Sequence, residues 1–147
     1  MGPLIDMGGK RKTRFRFFLN PYPDMACTRC PKCEAKTKQR KLPLVIHIEP
    51  QTLCVLNKTC RFCPSCELVI ARRSQIDPIL TEMFDQQADE INRGEYLCVG
   101  TLDRADWREG NRQRLSVSQA VGRVWEFKDH LQFEVRGGWG RSTDPRL

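Results

Sequence analysis

The chain has 147 residues, 39% hydrophobic and 29% charged, with a formal net charge of +7, a composition that suits a globular protein with one modest core. No apolar run approaches the roughly 18 residues of a membrane helix, and the opening MGPLIDMGGKRKTRFRFF lacks the apolar stretch and small-residue cleavage site of a secretory signal. A cytoplasmic protein with no membrane partner is therefore expected.

Residues 1–13 are basic, glycine-containing and unpatterned, and are expected to be disordered. Arg14, Phe15, Arg16 and Phe17 alternate with the period of a half-buried strand, which the PYPD turn ends. After a first cysteine cluster and the basic, exposed stretch EAKTKQRK, the apolar run LPLVIHI predicts a strand over 44–48, EPQT a turn, LCVL a short strand and ELVIARR a further one. Asp77 and Pro78, followed by Ile79, Leu80, Met83, Phe84 and Ile91 at helical spacing and then Gly94, predict a helix capped by Asp77. EYLCVGTL predicts a buried strand, DRADWREGNRQR a polar loop, SVSQAVGRVWEFKDH a helix with Ser118 near its cap, and LQFEV a last strand.

The expected fold class is α+β. A disordered N-terminus (1–13) precedes a β-rich domain (14–73), a small helix, strand, helix, strand lobe (74–136) and a flexible tail (137–147). Charge divides similarly: residues 1–73 hold 15 Lys and Arg against 5 Asp and Glu, whereas residues 74–147 hold 10 against 13.

Six of the eight cysteines fall in two copies of one pattern, CTRCPKC at 27–33 and CRFCPSC at 60–66. In a reducing compartment such CxxC pairs point to metal rather than to disulfides. Within Cys30-Pro31-Lys32-Cys33 and Cys63-Pro64-Ser65-Cys66, a tight turn aims backbone amides at two thiolates, and proline presets one dihedral angle of that turn. Two such turns complete a tetrahedral sulfur shell, and the 29 residues between Cys33 and Cys63 suffice for a β-hairpin that brings them together. Cys27, Cys30, Cys60 and Cys63 form an equally spaced alternative tetrad, without internal prolines. With the inner tetrad chosen, Cys27 and Cys60 become spare thiols, a reversible disulfide, or ligands of a second metal. An iron–sulfur cluster is the rival cofactor, since CxxCxxC is three quarters of a ferredoxin run, but the fourth position is Thr37 in one copy and Ile70 in the other. Cys54 and Cys98 are expected in the core, and His47 and His130 on the surface.

Through these two CPxC knuckles and the strand pattern around them, residues 26–73 resemble the zinc-ribbon family. The resemblance implies a β-rich ribbon with a structural Zn2+ held by Cys30, Cys33, Cys63 and Cys66. Ribbons commonly carry glycine after the second cysteine of each knuckle, where a left-handed backbone is easy. This chain has Glu34 and Glu67 there.

No metalloprotease, nucleophile-elbow, phosphate-loop or dinucleotide-binding motif occurs, and a zinc closed by four thiolates keeps no open position for substrate. No enzyme is expected and no catalytic residue is assigned. Asp103, Asp106 and Glu109 alternate with Arg104, Arg108 and Arg112 and read as a self-paired loop. The expected function is that of a non-enzymatic binding module whose basic half meets nucleic acid, RNA being favoured. Arg14, Arg16, Lys36, Lys38 and Arg40 would contact phosphates, and Phe15, Phe17 and Phe18 would either stack bases or fill the core. One alternative is a protein–protein adaptor docking through the acidic helix from Asp77 to Arg93 or through the C-terminal lobe. Another is a thiol redox or iron–sulfur protein using Cys27 and Cys60, beside which Arg29 and Arg61 would favour thiolate.

Overall fold

The structure, a computed structural model, describes residues 12–113 and 122–133. Its strands are β1 (Lys12–Thr13), β2 (Arg16–Asn20), β3 (Lys38–Ile48), β4 (Thr52–Cys63), β5 (Leu68–Arg72), β6 (Tyr96–Thr101), β7 (Trp125–Glu126) and β8 (His130–Leu131). The helices are α1 (Arg73–Met83), α2 (Ala88–Asn92) and α3 (Arg104–Gln113), with a 3-10 turn at Asp85–Gln87. The chain is thus mixed and mostly β.

The strands run in the order β1-β7-β6-β3-β4-β5-β2-β8. β1 and β2 belong to one strip of chain, 12–20, and β7 and β8 to another, 125–131. The two strips lie parallel, with Lys12 opposite Trp125 and Phe18 opposite Leu131. Between those pairs, Arg14 N–H donates to Glu126 O at 2.9 Å, Lys128 N–H to Phe15 O at 2.8 Å and Phe17 N–H to Asp129 O at 2.9 Å. The strip 12–20 also pairs in parallel with β5. The sheet consequently closes on itself as a barrel, although among the described residues β4 pairs with β5 only over Arg61–Cys63, so residues 52–60 pair on one side alone, with β3. Strands from residues 14–73 and from residues 74–136 share this one sheet.

Alternation along β3 sends Leu42, Leu44, Ile46 and Ile48 into the barrel with Phe17, Phe62, Val69, Cys98 and Phe127. Phe17 stacks on Phe127 with centroids 4.6 Å apart. Each such side chain removed from water contributes about 1.5–3 kcal/mol. Phe18 points the other way, into an outer cluster with Met25, Cys27, Cys30, Cys63, Leu68 and Ile70 beneath the β2–β3 connection. Both faces of β2 are therefore covered, which accounts for its consecutive phenylalanines. Phe15, Phe17 and Phe18 are all buried, so none is available to stack a base. At Gly100 a Cβ would come within 2.1 Å of Trp125 O, so only glycine permits the β6–β7 approach.

Several elements depart from expectation. The strand expected over 44–48 starts at Lys38, because Lys38–Lys41 pair with Thr59–Phe62 and lengthen the hairpin, and β4 likewise runs through the second cluster to Cys63. The helix does not start at Asp77: α1 begins at Arg73 and contains Pro78. Asp77 caps nothing there, since its carboxylate accepts from Arg73 Nε at 2.9 Å and Tyr96 Oη at 2.5 Å. The helical pattern breaks at Phe84 and resumes as α2, after which Gly94 takes φ +76°. DRADWREGNRQR is helix α3 rather than loop. Residues 12–13, expected disordered, form β1, and residues 1–11 lie outside the described residues. So do residues 116–121 of the helix expected over 116–130; its later part holds strand β7. Of LQFEV, Leu131 falls in β8, and the tail 137–147 again lies outside the described residues. Among the described residues no helix is long and apolar enough to cross a membrane.

Candidate metal centre

The first knuckle sits in the connection between β2 and β3, on a miniature hairpin closed by an antiparallel bridge from Arg29 to Lys36. Cys30 N–H donates to Ala35 O and Glu34 N–H to Cys30 O, both at 2.8 Å, while Lys32 N–H points at Cys30 Sγ, 3.3 Å away. The second knuckle is the turn between β4 and β5. Arg16 steadies it, its Nη1 donating to Cys66 O at 3.0 Å and its backbone N–H to Glu67 O at 2.8 Å. Glu34 has φ +65° and Glu67 φ +53°. Both glutamates thus adopt the left-handed conformation that glycine adopts easily, and each knuckle turn forms at a cost of about 1–2 kcal/mol.

The β3–β4 hairpin brings the knuckles together as the spacing predicted. The Sγ atoms of Cys30, Cys33, Cys63 and Cys66 all lie within 4.8 Å of one another. Cys33 to Cys63 is 3.5 Å and Cys30 to Cys66 is 3.9 Å. A tetrahedron with metal–sulfur bonds of about 2.3 Å has sulfur–sulfur edges of about 3.8 Å, so these two pairs stand near the edge one ion requires and the whole group could hold one. All eight cysteines are free thiols. Cys30 and Cys63 are fully buried against the outer apolar cluster, whereas Cys33 is exposed.

Electrostatics agree with a site that needs a cation. The Ala35 backbone N–H, followed by the neighbouring Cys66 thiol, pulls Cys33 down to about 7. Burial pushes Cys63 up, and burial together with the neighbouring sulfurs pushes Cys66 up to about 12. Cys63 and Cys66 thus resist ionisation by themselves, and a cation bound among these sulfurs would supply the missing charge.

Cys27 and Cys60 are not brought into this cluster, and the alternative tetrad does not form: among the described residues the inner four are the one group at metal-binding distance. Cys27, at φ +57°, is buried in the outer cluster, where Asn20 Nδ2 donates to its sulfur at 3.7 Å. Cys60 faces the barrel interior, and its Sγ donates to Lys58 O at 3.6 Å. Burial pushes the first up to about 11 and the second to about 12. The thiolate expected from Arg29 and Arg61 is not favoured, because desolvation outweighs the nearby charges. Arg29 instead donates to Glu34 O, and Arg61 to Thr37 Oγ1 and O. Cys98 is buried as expected and Cys54 half-buried. His47, expected at the surface, is buried because β6 pairs beside it on β3. His130 is exposed, with Nε2 2.8 Å from Cys98 O.

The five cations expected at phosphates are unequally placed. Arg14 is paired with Asp103 at 2.9 Å and Arg16 with Asp129 at 3.4 Å. Arg14 and Arg40 both lie over the Phe15 ring, at 5.0 and 5.1 Å from its centroid. Lys36, Lys38 and Arg40 are exposed, and Lys41 continues the run. Of the acidic trio, Asp103 is taken up by Arg14 and Trp125, and Asp106 by Arg123 at 3.0 Å. Self-pairing within the segment is thus not found for Asp103 and Asp106, whose arginines come from elsewhere in the chain; the side chains of Glu109 and Arg112 lie outside the described residues. Lys58 and Arg72, which the sequence did not single out, come together around a cleft with Arg61, which it had placed only beside Cys60. They are 3 and 11 residues apart and share no motif. In comparisons with protein-family models, curated proteins and solved structures the chain shows no match, so the site is read from its geometry.

Proposed function

We propose that Cys30, Cys33, Cys63 and Cys66 hold one Zn2+ as a closed structural site, and that the chain is a non-enzymatic binding module of the zinc-ribbon kind working in the reducing cytoplasm. The observation that carries this reading is the sulfur tetrad, with separations of 3.5 and 3.9 Å for two of its pairs. An all-thiolate shell suits zinc and leaves no site for a water nucleophile. Bound there, the ion ties the β2–β3 connection to the β4–β5 turn and holds the outer cluster over the barrel wall.

The partner in this reading is single-stranded RNA, met by the exposed run Lys36, Lys38, Arg40 and Lys41. None of these four has a described ion-pair partner. With Phe15, Phe17 and Phe18 buried, contact is by phosphate and insensitive to base sequence. Full-length protein should retain single-stranded RNA with a slope of log affinity against log salt of about −3, from about 0.7 per phosphate neutralised. Changing Lys36, Lys38, Arg40 and Lys41 to Ala should flatten that slope while leaving zinc bound. No retention at low salt sinks the RNA reading. The adaptor reading would then lead, on the ground that Ile79 and Met83, 36% and 49% exposed, lie one turn apart on α1.

A further inference from the structure

A cleft of about 420 Å³ opens on the outer wall of the barrel, between residues 26–28, strands β4 and β5, and the start of α1. Its lining includes Gln39, Lys58, Thr59, Arg61, Arg72 and Gln75, and no carboxylate. Three cations around one cavity repel one another, and no Asp or Glu of the lining offsets them. Two are already aimed. Arg61 is held by Thr37, which accepts at Oγ1 (3.0 Å) and O (2.8 Å), and Thr37 is itself tied to Cys27 O at 2.6 Å. Lys58 Nζ is held by Thr59 O at 2.9 Å and Gln75 Oε1 at 2.8 Å. The Arg72 guanidinium has no hydrogen-bond or ion-pair partner among the described residues.

The start of α1 adds to the same charge. Arg72 is its N-cap, no side chain caps it, and its first turn contains no acidic residue. An eleven-residue helix therefore presents uncapped amides and the positive end of its dipole beside these cations. Gln75, in that first turn, lines the cleft.

We propose that this cleft binds a phosphate ester. A phosphate carries the charge that the cations lack and offers the oxygens that guanidinium forks and helix amides recognise. The volume falls in the range of about 300–1,000 Å³ typical of small-molecule sites, which exceeds what a bare ion requires. Ala26 and Ile70 give the organic part of the ester an apolar wall. The inference does not rest on the RNA reading, because it uses none of the Lys36–Lys41 run.

The test is calorimetric titration of full-length, metal-loaded protein with inorganic phosphate, ribose 5-phosphate and adenosine 5′-monophosphate, with adenosine as the control. Saturable one-site binding of the esters is expected, tighter than that of inorganic phosphate, with none for adenosine. Arg72→Gln and Lys58→Gln should each weaken it at least tenfold, and Lys36→Gln with Lys38→Gln should leave it unchanged. Arg72→Gln and Lys58→Gln spare the Arg61–Thr37 bonds, and unaltered circular dichroism and metal content would show that they fold. A single-stranded oligoribonucleotide that displaces the ester would identify RNA as the source of the phosphate, and failure to displace it would identify a free ester. No saturable binding of either ester at millimolar concentration, or binding unaffected by both cleft substitutions, overturns the proposal.

Discussion

The sulfur-bearing end of the molecule and the barrel interior use the same residue type to opposite ends. At the knuckles, Cys30, Cys33, Cys63 and Cys66 converge within 4.8 Å on turns whose amides face the sulfurs. Inside the barrel, Cys60 and Cys98 lie among Leu44, Ile46 and Phe127 and serve as small apolar groups. Backbone conformation differs as well. The knuckle end stores strain in Glu34 and Glu67, at φ +65° and +53°, whereas β3 and β4 pair in register from Lys38 to Ile48. One region gathers sulfurs at a separation that could hold an ion and the other packs them among apolar side chains, so a cysteine's environment, rather than its presence in a CxxC spacing, decides its role. Cys27 and Cys60 share the spacing and have the environment of a core residue.

The largest break in this comparison should come from Cys30→Ser or Cys63→Ser. Each should abolish metal retention and disorder the knuckle end, with a loss on the order of 10 kcal/mol of metal-linked folding free energy, read by metal content and denaturant melts. Cys27→Ala and Cys60→Ala should act differently. Each removes a buried packing group, costing about 1–2 kcal/mol, yet metal content should stay unchanged. Metal loss in either variant would place that cysteine in the shell.

A smaller effect follows from titration of the interior thiols. Burial lifts Cys54 from its ordinary 9.0 to about 11 and Cys60 to about 12. The folded protein then keeps protons that the unfolded chain releases above pH 9, so this contribution is complete below pH 9 and is lost as pH rises toward 12. Denaturation midpoints should fall between pH 8 and 10.5, and Cys60→Ala should make the fall shallower. An unchanged slope in that variant would show that Cys60 does not drive it.

The smallest effect is expected at the strained turns. Glu34→Gly and Glu67→Gly relieve a left-handed conformation that costs about 1–2 kcal/mol and add unfolded-state freedom of about 1 kcal/mol. Each should be neutral or stabilising by up to about 1 kcal/mol. A clear loss of melting temperature would mean that the carboxylates themselves matter, as the 3.5 Å pair of Glu67 with Lys128 would allow.

The cysteine tetrad was legible because its chemistry is local: CPxC shows the turn, and 29 intervening residues show the hairpin. Barrel closure was not legible, because it rests on parallel pairing of β2 with β5 and β8, contacts that leave no local pattern. Nor was α3, whose residues RADWREGNRQ contain one large apolar side chain, Trp107, so periodicity had nothing to register. The start of α1 was misplaced because Asp77-Pro78 is a strong local cap signal, while burial of Ile76 and Leu80 and the Tyr96–Asp77 bond are tertiary. In the basic half, alternation located Arg14 and Arg16 but could not show that Asp103 and Asp129 lie across from them.

The most direct test of the central claim is elemental analysis, with an absorption spectrum, of full-length protein expressed in a reducing cytosol, beside its Cys63→Ser and Cys60→Ala variants. About one zinc per chain is expected, with no visible absorbance, loss of the metal in Cys63→Ser and retention in Cys60→Ala. Iron with visible absorbance, or zinc that survives Cys63→Ser, would contradict it.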